Sequence, residues 1–208
     1  SAVMLANGYL ERQMKATGCL PNDHMIIAEH FKDQAGNSQL MIHSVFGRRI
    51  NTPLALLAAK TASGLLGAEI GNVEEEDGFL LYSYGEGILP EGILQRIDPD
   101  TCQKQLEILL PATPVFNIAF RYNSGRALMM GVRKNGLHPL WLQRLKSAEM
   151  LEQAVQEKEH PLIRETRREC MQELWDADGV KELLCDIRAG VVKVREIYSE
   201  IPSPMSLP

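Results

Sequence analysis

Apolar and polar positions change period along the chain, and the changes divide it into elements. Between Phe116 and Arg144, apolar residues recur at three- and four-residue spacing (Phe116, Ala119, Phe120, Ala127, Met130), which predicts a helix with one face turned to a core. Upstream, residues 3–17 carry an amphipathic helical pattern that Gly18 stops. Two partly alternating runs, Ile26–Phe31 and Gln39–Phe46, flank the turn Asp33–Asn37 and predict a β-hairpin on which Glu29 and His43 face one another. Gly47, Arg48 and Arg49 lead into a second helix, with Asn51 or Thr52 as its cap, Pro53 in its first turn and an apolar body running to Gly67.

The period returns to β character from Ala68 to Ile97, with the acidic run Glu74–Gly78 as a hairpin tip. Asp100 with Gln103 reads as a capping box for a helix ended by Pro111, and Pro114 opens the central helix. From His138 to Lys158 the pattern is amphipathic again, with Leu142, Leu145, Ala148, Leu151 and Val155 as the apolar face. Residues 162–179 read as helix, with Ile163, Thr166, Cys170, Met171 and Leu174 inward. A short helix to Gly190 and a strand through Tyr198 follow, and the proline-rich end is expected to lie along the surface as an extended tail. The pattern therefore predicts an α+β fold, with a β-rich first half built on hairpins and a helical second half, in a single compact domain over residues 1–208.

Charge changes the picture of the central stretch. The chain as a whole carries a net charge of -5, which argues against a general nucleic-acid glue. Yet the charge is segregated: nine carboxylates lie between residues 69 and 100 against Arg96 alone, whereas Phe116–Arg144 holds no acid. That stretch interleaves Arg121, Arg126, Arg133, Lys134 and Arg144 with Tyr122 and Trp141. Guanidinium forks match phosphate oxygens and flat rings stack on bases, so the combination suits a surface that tracks a nucleic-acid backbone. Helix-surface cations paired with nearby carboxylates are the plainer account of the same residues. Arg126, set among Gly125, Ala127 and Leu128, is the best candidate for an internal brace. Arg48 and Arg49, beside the free amides of a helix start, suit a phosphate and suit a carboxylate such as Glu29 equally well.

Catalytic and metal patterns are sparse. Cys19, Cys102, Cys170 and Cys185 stand far apart, without the close pairs structural zinc uses, and read as reduced thiols of a cytosolic protein, Cys170 and Cys185 as small core fillers. The acidic run lacks the alternation and closing Glu of a calcium loop. No phosphate-binding P-loop, dinucleotide fingerprint, nucleophile elbow or HExxH is present, and no apolar run is long enough to span a bilayer. His43 with Glu29 makes an acid/base pair if the hairpin brings them within reach, and a cross-strand polar pair is the simpler account. A small metal-dependent hydrolase using His43, Glu29 and the acidic turn is a further alternative.

Five segments in order, Ile26–Asn51, Phe120–Leu128, the Trp-Leu-Gln-Arg of residues 141–144, His160–Cys170 and Pro202–Pro204, resemble the DEAD/H-associated domain that lies C-terminal to the motor in Lhr-type superfamily 2 helicases. The resemblance covers nearly the whole chain, departing from the family where Val45 replaces a frequent Pro and where Ser124 and Gly125 replace a pair of alanines. It implies an accessory module without the ATPase motifs, and with no cofactor of its own. ATP and magnesium would belong to the parent helicase, whose motor domains and a single nucleic-acid strand would be the partners, with no membrane involved. On that implication, Arg48, Arg49, Arg121, Arg126, Arg133, Lys134, Trp141 and Arg144 are the expected nucleic-acid-binding residues. A scaffold that docks onto the motor and winged-helix domains is the rival reading.

Overall fold

The computed structural model describes residues 2–85, 87–127, 139–156 and 160–206. Five strands, β1 (Met25–Lys32), β2 (Ser38–His43), β3 (Ile70–Glu75), β4 (Gly78–Ser83) and β5 (Lys193–Tyr198), form one sheet in the order β3-β4-β2-β1-β5. Neighbours are antiparallel except β1 and β5, which run parallel and so need a long crossover. By its internal packing the chain forms two compact units, residues 1–103 with 177–208 and residues 104–176.

The first unit holds the sheet, α1 (Ala2–Thr17), α2 (Arg48–Leu66) and α7 (Ala177–Ala189). Alternation places Ile26, Ala28, Leu40, Ile42, Phe79 and Leu81 on one face of the sheet, all buried. The other face carries Glu29 and His43, and the two side chains approach diagonally because Ile27, not Glu29, is paired with His43. α2 packs on β3 and β4 and against α7, burying Leu54, Leu57 and a row of alanines. Its end is set by Gly67, whose φ of 63° is the left-handed conformation a helix C-terminus favours. Gly78 opens β4 with φ 151°, and a Cβ there would sit 2.0 Å from the Ile42 carbonyl oxygen, so the strands approach only because the side chain is absent.

The second unit is helical, containing α4 (Pro114–Arg126), α5 (Leu140–Gln156) and α6 (Pro161–Glu169); α3 (Cys102–Leu109) leads into it. Thr113 caps α4 by accepting from the Phe116 amide at 3.3 Å, with Pro114 in the first turn. Phe120 of α4, Ala154 of α5 and Leu162 of α6 make its core, with Met150, Leu151 and Ile163 against it.

Several local expectations are corrected. α2 begins at Arg48, one turn before the expected Asn51 or Thr52 cap, because Gly47 takes the cap position and Asn51 is drawn inward to other partners. β structure ends at Ser83, and residues 94–96 form a turn of 3-10 helix instead of strand. Gln103 donates to Asp178 at 2.6 Å and closes no capping box, while Asp98 caps the turn through the Asp100 amide at 3.3 Å and the Thr101 hydroxyl at 3.1 Å. In α5 the buried positions are Ser147 and Ala154, so Leu145, which is 52% exposed, and Ala148 face outward; Val155 lies outside the described side chains. α6 stops at Glu169 and a π-turn spans Cys170–Leu174, which swings Leu174 out and buries Trp175 in its stead. Cys170 is a buried filler as expected, with its thiol pushed up to about 12 by burial, whereas Cys185 is exposed. The proline-rich tail runs along the surface as expected, with Ile201 81% exposed, but it is anchored there: Ser203 is buried and bonded to the sheet.

Candidate nucleic-acid interface

Arg48 and Arg49 are the first residues of α2, and both are exposed. Asn51, one turn on, fixes that helix start. It accepts from the Ser44 hydroxyl at 2.8 Å and donates to the Glu76 carbonyl at 2.9 Å, while the Ser44 amide donates to the Asp77 carbonyl at 2.9 Å. The loop after β2 and the β3–β4 turn are thereby tied to α2, and the first-turn amides carry no side-chain cap. Glu29 is fully buried and bonded to His43, Ser203 and Ser206.

In the second unit, α4 carries Arg121 half-buried, its guanidinium carbon 5.5 Å from the centre of the Tyr122 ring, which is itself 61% exposed. Arg126, the expected brace, is instead a surface cation: its side chain is 74% exposed and its ion pair with Glu169 spans 3.6 Å. The bracing belongs to Asn123, which donates to Glu169 at 2.6 Å and to Thr166 at 3.3 Å from inside the unit. On the first turn of α5, Trp141 is 66% exposed and Arg144, three residues on, is exposed on the same side of the helix. Arg133, Lys134 and Met130 lie outside the described residues. Arg168 is held by Glu165 at 2.7 Å and Glu173 at 2.8 Å, bonds that keep its charge fixed. Tyr122, an exposed aromatic directly beside Arg121 on a helix with no acid, joins the candidate residues.

The Glu29–His43 pair forms as the hairpin predicts, with Nε2 at 2.9 Å from the carboxylate and both side chains fully buried. The same carboxylate accepts from the Ser203 amide at 2.8 Å, the Ser203 hydroxyl at 2.5 Å and the Ser206 hydroxyl at 2.6 Å. Gln13 of α1 completes the cluster, donating to the Ser203 oxygen at 2.9 Å and accepting from the Met205 amide at 2.9 Å. Burial pushes the Glu29 carboxyl up, but the hydrogen bonds from His43, Ser203 and Ser206 outweigh it and hold it at about 2. A serine-histidine-acid relay needs the acid and the nucleophile on different ring nitrogens. Here Ser206, at 3.2 Å, and Glu29 both meet Nε2, and the ring is sealed from solvent, so the cluster is a structural clamp on the tail. Among the described residues no group of three potential ligands gathers to hold a metal ion, although the acidic turn adjoins His43 through its pairing with Gly78.

The site residues thus offer charge and flat rings and no reacting groups. A family described as DEAD/H associated matches residues 20–206. The chain is 30% identical over 201 residues to the Lhr helicase/uracil glycosylase of Escherichia coli, covering 96% of this chain and 13% of that protein. It is 26% identical over 200 residues to the ATP-dependent helicase Lhr-Core of Methanothermobacter thermautotrophicus, covering 95% of this chain and 23% of that one. The solved structure of the Mycobacterium smegmatis helicase Lhr bound to ssDNA and AMP-PNP superposes with a TM-score of 0.89 at 28% identity, over 96% of this chain and 26% of that chain. The chain therefore spans from about an eighth to a quarter of the length of these relatives.

Proposed function

Because this chain belongs to the DEAD/H-associated family, and matches Lhr helicases along nearly all of its own length, we propose that it is the accessory C-terminal module of an Lhr-type ATP-dependent helicase and lends it a basic wall against one nucleic-acid strand. ATP and magnesium would then be handled by motor domains in the rest of the parent chain, and this module would act by holding the strand. The carrying observation is the setting of exposed rings beside cations, Tyr122 with Arg121 on α4 and Trp141 with Arg144 on α5. Such pairs grip phosphates without reading sequence, and their rings accept any base. The relative whose structure includes ssDNA supports the same direction.

The experiment is binding of the 208-residue chain to a fluorescent single strand, compared with Trp141→Ala and Arg144→Ala. Each variant is expected to weaken binding by about three- to tenfold, the Trp by loss of stacking and the Arg by loss of a phosphate contact. Unchanged affinity in both would remove α5 from the interface.

One observation favours a second reading, a scaffold docked on the motor domains. The helical unit exposes Ile108 at 69%, Ile118 at 47% and Leu145 at 52%, a set of apolar side chains that a protein partner would cover. Ile118→Ser or Leu145→Ser would then weaken association with the motor domains and leave strand binding alone.

A further inference from the structure

The sheet unit carries a second feature that the basic residues do not explain. At the far ends of β1 and β5 a cleft of about 660 Å³ opens, with Tyr198 and His30 along one side, Ile88 and Phe31 supplying apolar lining, and Lys32 and Glu200 at the rim. Its volume lies in the range of small-molecule sites. One wall is prearranged. The Tyr198 ring stacks on His30 with centroids 4.9 Å apart and planes 14° from parallel, while the Tyr198 hydroxyl is bonded to Glu91. That bond, with burial and the charges of Glu91 and Glu196, pushes the phenol up to about 12. His30 is fixed in turn by Glu196 at 2.6 Å, whose other oxygen accepts from the Gly92 amide at 2.9 Å. Tyr198 remains 65% exposed despite this bracing. A ring pinned on one face and at its hydroxyl, with so much of its surface open, is a stacking platform whose ordering cost is already met within the fold.

We infer that this cleft binds an unstacked nucleobase, seated on the Tyr198 ring with its sugar-phosphate directed to Lys32. The chemistry of the rim suits that ligand. Lys32 is exposed and supplies a cation for a phosphate, and Glu200 is an acceptor for an exocyclic amine. The apolar side chain of Ile88 suits the edge of a flat ring. The base can come from a single strand or from a free nucleotide; only the first source rests on the proposed strand-binding function.

The test is nuclear magnetic resonance of the 208-residue chain with adenosine monophosphate, run beside binding of a single strand and of an abasic strand of equal length. The inference predicts that the nucleotide shifts the resonances of Tyr198, Lys32 and Ile88. It also predicts that Tyr198→Ala weakens the normal strand by about fivefold or more and leaves the abasic strand unaffected, whereas Tyr198→Phe, which keeps the ring, stays within about twofold of the parent. Nucleotide shifts at the cleft without any strand binding would uphold the cleft and reject the strand-binding function. Strand binding with an unresponsive cleft, or equal loss on both strands, would overturn the inference and leave the strand-binding function in place. Thermal unfolding of Tyr198→Phe and Tyr198→Ala verifies that both fold.

Discussion

Replacing Glu29 by Gln tests whether the buried clamp holds the tail, and its size follows from the structure. The carboxylate takes hydrogen bonds from His43, the Ser203 amide and hydroxyl, and the Ser206 hydroxyl, with no exposed side-chain surface. Its pKa falls from the ordinary 4.5 to about 2. At roughly 1.4 kcal/mol per pH unit that drop corresponds to about 3 kcal/mol of folding stability. The folded pKa lies below the unfolded one, so the unfolded chain binds the proton more tightly. The contribution is therefore complete above pH 4.5 and is lost as pH falls through about 2. Glu29→Gln removes the charge and turns an amide donor toward the two hydroxyls and His43, for an expected loss of about 2–4 kcal/mol near pH 7. For a chain of this length that lowers Tm by about 5–15 °C. The assay is urea denaturation of both proteins from pH 7 down to pH 2, with Ser203→Ala and the double variant completing a cycle. The gap between parent and variant should close between pH 4.5 and 2, and the cycle should show coupling of about 1 kcal/mol or more. A gap below about 0.5 kcal/mol at pH 7, or one that does not narrow in acid, would refute the account.

Gly78→Ala should cost about 2–4 kcal/mol in urea denaturation, since its Cβ would meet the Ile42 carbonyl at 2.0 Å in a backbone conformation with φ 151°. Arg126→Ala should change stability by less than about 1 kcal/mol, because its pair with Glu169 is long and its side chain 74% exposed, and should still lower single-strand affinity at low salt. A large loss of stability with unchanged affinity would return Arg126 to the role of a brace.

The legible parts of the fold were those whose causes are local. The Asp33–Asn37 turn between alternating runs declared the hairpin, and Gly67 declared the end of α2. Strand alternation sufficed to put Glu29 and His43 on one face. The docking of the tail was hidden because Ser203 meets Glu29 across 174 positions, and a Pro-Ser-Pro segment has no period to announce a buried partner. The parallel pairing of β5 with β1 depends on the same long range. In α5 the expected inward face holds at Leu151, which packs against the core, and fails at Leu145, because Leu145 outranks Ser147 in hydrophobicity and yet it is Ser147 that the packing buries. The basic residues themselves were readable from charge segregation, whereas their exposure was not: Arg126 looked internal among small residues and proved to be at the surface. The Tyr198–His30 platform joins two strands far apart in sequence, and only the parallel register, His30 beside Tyr198, brings them together.

The most direct test of the strand-holding role is affinity for a single strand measured across a salt series, for the 208-residue chain and for a variant with Arg121, Arg126 and Arg144 all changed to Ala. The account predicts that log affinity falls linearly with log salt, by about 0.7 per phosphate engaged, with a shallower slope in the variant. No binding at the lowest salt, or the same slope in both proteins, would contradict it.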